Sequence, residues 1–97
     1  MDVVMVEFPV GSDKTDECVA ALNELMTSVV AKQTKFHGAT ICVEAASGSV
    51  FNAMRWETTA DFIEFRDSHQ IMIQPALAKF NPKPHMLSIA CEIEAQN

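Results

Sequence analysis

The chain has 97 residues, a hydrophobic fraction of 48% and a formal net charge of −6. That length is one domain, with too much apolar content for a disordered segment and enough for a core. An acidic balance without a cluster of Lys or Arg argues against nucleic acid and against an anionic membrane surface as partners, because positive charge supplies most of the affinity for either.

The opening residues Met1-Asp2-Val3 lack the basic start and apolar run of a signal peptide, and no apolar stretch approaches the roughly 20 residues of a membrane helix. Cys18, Cys42 and Cys91 are odd in number and widely spaced, unlike a secreted disulfide framework. The expectation is a cytoplasmic protein with reduced thiols.

In chain order, residues 3–10 read as a first strand, apolar on both faces. Gly11-Ser12-Asp13 turns into a first helix over about Lys14 to Thr34. Its apolar positions Val19, Leu22, Leu25, Met26, Val29 and Val30 keep the 3.6-residue period, and Gly38 stands at its exit. A second strand is expected over about Ala39 to Ala46, and Ser47-Gly48-Ser49 turns it into a third, Val50 to Glu57. Thr58 reads as an N-cap with Asp61 three residues on, opening a short helix to about His69. Pro75 requires a break before it and starts a separate helical piece to Phe80. A final strand is expected over His85 to Glu94. The order β-α-β-β-α-β predicts an α+β, ferredoxin-like domain with an antiparallel sheet. Strands apolar on both faces imply a second copy covering the open side, a homodimer forming an α+β barrel.

The third strand carries the chemistry. Side chains alternate with period two, so Asn52, Met54 and Trp56, the chain's only Trp, share one face. An amide beside a thioether and an indole suits a pocket that orients an aromatic ligand through one hydrogen bond. Phe62 and Phe65 on the following helix point inward. Arg66 could reach a phenolate, although a solvated position is the default for it. Arg55 falls on the face opposite Trp56, where an inter-subunit ion pair is the expected use. Of His37, His69 and His85, the residue after the Phe62–Phe65 helix, His69, is the first choice for a general base. The three histidines lack metal-ligand spacing, and the cysteines read as small buried hydrophobes.

The segment Val50-Phe51-Asn52-Ala53-Met54-Arg55-Trp56-Glu57-Thr58-Thr59-Ala60-Asp61-Phe62, with the opening strand Val4–Val10 and Phe36-His37-Gly38-Ala39-Thr40, resembles the antibiotic biosynthesis monooxygenase family over nearly the whole chain. The resemblance implies dimeric α+β barrels that oxidise small electron-rich aromatics, anthrone-like or quinol-like, with molecular oxygen and no metal, flavin or haem cofactor. It gives Asn52 and Trp56 places in the substrate cavity, orienting substrate and intermediate, beside a wall of Met54, Phe62 and Phe65. The sequence departs from the family where Phe62 replaces a frequent Tyr and where Gln74 to Leu77 lack a frequent basic residue. Phe65 stands where the haem-degrading branch has a Trp, so haem breakdown is not expected. These departures define a second reading, a non-catalytic binding or accessory protein of the same fold. Isomerase-like chemistry on a related barrel is a third.

Overall fold

A computed structural model describes residues 1–96. The first strand, β1, runs from Asp2 to Phe8, with Val4, Val6 and Phe8 buried between half-buried neighbours. It stops before Pro9, which has no N–H to give a ladder. The first helix, α1, spans Thr15–Ser28 and buries Cys18, Leu22, Leu25 and Met26, at spacings that keep one face inward. It ends six residues earlier than the apolar periodicity predicts. The backbone leaves helical geometry at Val29 (φ −125°, ψ −58°), and Val30–Lys32 forms a 3₁₀ turn that still buries Val30. Two consecutive β-branched residues are weak helix formers. Their burial, which reads as a helical stripe in sequence, is satisfied equally well by the tighter turn.

The second strand, β2, therefore starts early, at Phe36–Val43, and Ala45 and Ala46 fall in the turn instead of the strand. Gly38 is not a helix exit. It lies inside β2 at a bulge, where the register with the next strand shifts between Phe36 and Gly38. Its φ of +141° is unfavourable for other residues, and an added Cβ would stand 2.9 Å from an Arg55 guanidinium nitrogen.

The third strand, β3 (Val50–Trp56), buries Val50, Asn52, Met54 and Trp56 in strict alternation, as its period predicts. In the turn before it, Gly48 has φ +80°, and Thr15 Oγ1 donates to its carbonyl at 2.6 Å, pinning the start of α1 to the hairpin. A Cβ there would meet Ser12 N at 2.7 Å and Ser12 Cα at 2.8 Å, both backbone atoms. Gly48→Ala thus combines a left-handed φ with a backbone collision. It is expected to cost about 2 kcal/mol or more, read as a lower urea midpoint with an unchanged slope.

The second helix, α2 (Thr59–Ser68), opens on the predicted capping box: Thr58 Oγ1 accepts from Asp61 N, and Asp61 Oδ2 accepts from Thr58 N, each at 3.1 Å. Asp2 Oδ2 accepts from Thr59 N at 2.9 Å, fixing α2 to β1. The third helix, α3 (Gln70–Leu77), follows after the single residue His69 and contains Pro75, which was expected to begin a helical piece. The break falls six residues earlier, at His69, whose φ of −114° ends α2. Within α3 the proline forfeits only the bond to the Ile71 carbonyl, and Ile71 is exposed, so water can satisfy that group. A 3₁₀ turn, Ala78–Phe80, and the left-handed Asn81 lead to the fourth strand, β4 (Lys83–Ser88).

The sheet order is β2-β3-β1-β4, antiparallel throughout, which is the expected ferredoxin-like α+β topology. The strand expected to reach Glu94 ends at Ser88, because its register with β1 runs out at the pair Asp2↔Ser88. Residues 89–96 pair with no strand among the described residues and lie exposed, Ile93 at 91%. The helices cover the face of Val4, Val6, Asn52 and Met54. Register places Val3, Met5, Phe51, Ala53, Arg55 and Leu87 on the opposite, uncovered face.

Candidate functional site

Between the covered sheet face and the helices lies a cavity of about 360 Å³. The sheet contributes Val6, Phe8, Asn52 and Met54; α1 contributes Leu22, Leu25 and Met26; α2 contributes Phe62, Phe65 and Arg66; and α3 contributes Ile73, Gln74 and Leu77. Its volume is within the range of small-molecule sites, and its walls are mostly apolar. Most of the polar groups lining it, Asp67, Gln70 and Gln74, are exposed, and Arg66 is half-buried, so they stand towards the mouth.

Asn52 is the exception. It is 2% exposed and is the one buried polar side chain, among the described residues, that lines this cavity. Its Nδ2 donates to Met26 Sδ at 3.5 Å, while Oδ1 has no partner among the described residues. A buried carbonyl oxygen without a donor costs on the order of 1–3 kcal/mol. Such a group in a cavity wall is the arrangement expected of a site that pairs with a ligand.

Trp56 shares the strand face with Asn52 but not the cavity. It lies four residues along β3, about 13 Å at strand rise, and is 1% exposed. Phe36, Phe62 and Phe65 surround it, with ring centroids at 5.5, 5.8 and 5.5 Å. Trp56 lines a second cavity of about 280 Å³ with Gln33, Glu64, Ser68 and His69, and its Nε1 has no acceptor among the described residues. The Phe65 ring lines both cavities and stands between them.

His69 is likewise in the second cavity. Its ring stacks on Phe65 at 4.4 Å, and Nδ1 lies 2.9 Å from the Phe65 carbonyl oxygen. Since a carbonyl only accepts, that contact places the proton on Nδ1 and leaves Nε2 as the basic nitrogen of the neutral ring. Of the site residues expected from sequence, Asn52, Met54, Phe62, Phe65 and Arg66 therefore meet around one cavity, and Trp56 and His69 meet around its neighbour.

Met26 and Gln74 line the larger cavity without having been singled out in sequence. Met26 reads there as one more apolar position of the α1 stripe, and only its contact with Asn52 sets it apart. Burial pushes the Cys18 thiol up, and the neighbouring Glu17 carboxylate adds to the shift, so Cys18 is held as the thiol and fits the small buried hydrophobe expected. Cys42 and Cys91 are exposed instead. Among the described residues, no group of three or more His, Cys, Asp or Glu side chains is placed to hold a metal ion. Nor is any helix there long and apolar enough to cross a membrane.

Neither a protein-family model nor a curated protein sequence matches the chain. Solved structures do. A monooxygenase from the ActVA-Orf6 gene of Streptomyces coelicolor, crystallised with the ligand Nanaomycin D, is 24% identical with a TM-score of 0.74, covering 98% of this chain and 92% of the other. A protein of Deinococcus radiodurans described as an antibiotic biosynthesis monooxygenase is 9% identical with a TM-score of 0.79, each chain covered in full. A third, from Nitrosomonas europaea and described in the same words, is 17% identical with a TM-score of 0.72, over 94% of this chain and all of the other. The fold is thus the α+β fold of antibiotic biosynthesis monooxygenases, in agreement with the resemblance carried by Val50–Phe62.

Proposed function

We propose that this chain is a cofactor-independent monooxygenase acting on a small electron-rich aromatic of the quinol or anthrone class. The observation that carries the reading is the 2% exposed carboxamide of Asn52 in the wall of a 360 Å³ apolar cavity, with its Oδ1 unpartnered among the described residues. The fold shared with a monooxygenase crystallised with Nanaomycin D supports it. In the proposed reaction the reacting carbon of the substrate gives a proton to solvent, the resulting carbanion passes electrons to oxygen, and the peroxide anion formed takes one proton back. A hydroperoxide forms at that carbon, and loss of water leaves a carbonyl, with one oxygen atom in the product and one in water. The protein's part is to bind the ring, exclude water and hold polar atoms in place. Arg66 is the one cation lining this cavity among the described residues; Asp67 Oδ1 accepts from its Nε at 3.3 Å, and the remaining guanidinium N–H groups are the donors left for the developing anion. Asn52 holds an O–H of the substrate or hydroperoxide. Phe62 and Met54 form the wall. Trp56 and His69 line the adjoining cavity, and a part for them in the reaction requires the Phe65 ring between the two cavities to turn aside.

A specific observation also favours the second reading, a binding protein without chemistry. Among the described residues no histidine lines the larger cavity, and Phe62 brings no hydroxyl to it. Oxygen-electrode assays with anthrone and a panel of hydroquinones, run beside quenching of Trp56 fluorescence, separate the two. Oxygen uptake that saturates with substrate supports the monooxygenase, and quenching without uptake supports the binding protein.

The working form in this reading is a homodimer. The uncovered sheet face with Val3, Met5, Phe51 and Leu87 and the unpaired residues 89–96 are what a second copy would cover. Sedimentation should give about twice the chain mass of 10.7 kDa. A monomer at micromolar concentration would remove the dimer.

A further inference from the structure

Two orphaned groups of opposite kind lie on the covered face of β3, a donor at Trp56 and an acceptor at Asn52, and only the acceptor faces the large cavity. We propose that Met26 fixes Asn52 as a hydrogen-bond acceptor, so that the cavity selects aromatic ligands presenting a hydroxyl donor over those presenting a carbonyl or an ether. The inference rests on the ligand-binding part of the proposed function and not on oxygen chemistry.

A thioether has no hydrogen to give, so of the two amide ends only the NH₂ gains a hydrogen bond by facing Met26 Sδ across 3.5 Å. That difference settles which end of the Asn52 amide is which. Turned over, the amide would set two lone-pair-bearing atoms against each other and leave both N–H bonds without a partner in an apolar wall. With the NH₂ held by Met26, Oδ1 is the end left unpaired. Both residues are buried and come from different elements, α1 and β3, so neither can shift without disturbing the core. The other polar side chains of the cavity stand at its mouth, which leaves Asn52 as the deep polar contact for a ring. A ligand hydroxyl satisfies the orphaned oxygen. A carbonyl placed there would face another acceptor, and an ether would leave the oxygen unpaired and dry.

Calorimetry with 1-naphthol, 1-methoxynaphthalene and 1-tetralone tests this. The three share a fused ring that fits the cavity and differ in offering a donor, a blocked oxygen and an acceptor. The wild-type protein should bind 1-naphthol about three- to tenfold more tightly than either of the others, the worth of one hydrogen bond. Met26→Leu conserves volume but removes the acceptor that holds the NH₂. The amide can then turn, so the naphthol advantage should shrink and 1-tetralone should gain. Wild-type binding of all three within about twofold, or a preference for 1-tetralone, overturns the proposal, since one hydrogen bond is worth more than that. The wild-type comparison decides even if the variant fails to fold. A naphthol preference without oxygen uptake keeps this inference and removes the monooxygenase. Oxygen uptake without a naphthol preference does the reverse.

Discussion

Trp56→Ala is expected to lower the melting temperature by on the order of 15–30 °C, from a loss of about 3–5 kcal/mol. The indole is 1% exposed and in contact range of three aromatic rings from two elements: Phe36 on β2, and Phe62 and Phe65 on α2. Truncation leaves a cavity that these rings cannot close without moving both a strand and a helix. For a domain of this size the loss is a large share of total stability. Trp56→Phe should behave differently. It keeps one ring in the cluster and removes an Nε1 that has no acceptor among the described residues. The packing lost and the desolvation relieved are of similar size, so its stability should stay within about 1 kcal/mol of wild type. Thermal melts of both variants give the answer. A Phe variant as unstable as the Ala variant would mean that the indole N–H is paired in solution, with water or with a partner chain.

The strands and the capping box were legible because they are local. Alternation at Val50, Asn52, Met54 and Trp56 and the reciprocal Thr58–Asp61 contacts need only neighbours in sequence. Boundaries set by distant contacts were not legible. α1 ends at Ser28 although Val29 and Val30 continue its apolar stripe, since burial alone does not distinguish a helix from a 3₁₀ turn. β4 stops at Ser88 although Ile89, Cys91 and Ile93 still alternate, since a strand needs a neighbour and β1 offers none beyond Asp2. Pro75 sits inside α3 because the one carbonyl it leaves unpaired belongs to an exposed residue, a tertiary circumstance that spacing cannot reveal.

The site was legible as a face and not as a cavity. Period two puts Asn52 and Trp56 on one side of β3, and both are buried with an unpaired polar atom, as a pair of ligand-facing groups would be. Whether they meet one ligand depends on Phe65, which reaches between them from another element. The same limit hid Met26. Nothing in the run Leu22 to Met26 marks that thioether as the one beneath Asn52. The larger cavity thus has a single deep polar contact where the sequence suggested two, and the burden on Asn52 increases accordingly.

Asn52→Leu follows from that burden and should move stability and activity in opposite directions. Leucine at a 2% exposed position beside Leu22, Leu25 and Met54 exchanges an unpaired carbonyl oxygen for apolar contact, and the adjoining cavity accommodates its shape. A gain of about 1 kcal/mol is expected, a rise of several degrees in melting temperature. If the protein oxygenates a quinol or anthrone, the same change removes the group that holds the substrate hydroxyl, and turnover should fall about 10- to 100-fold through loss of orientation. A residue kept for packing would give the reverse on the first axis: losing a satisfied amide destabilises. Parallel melts and oxygen-uptake rates on one preparation therefore test whether Asn52 is held for function, because a buried polar group that lowers stability persists only where something else requires it. A variant both less stable and equally active would take the site away from Asn52.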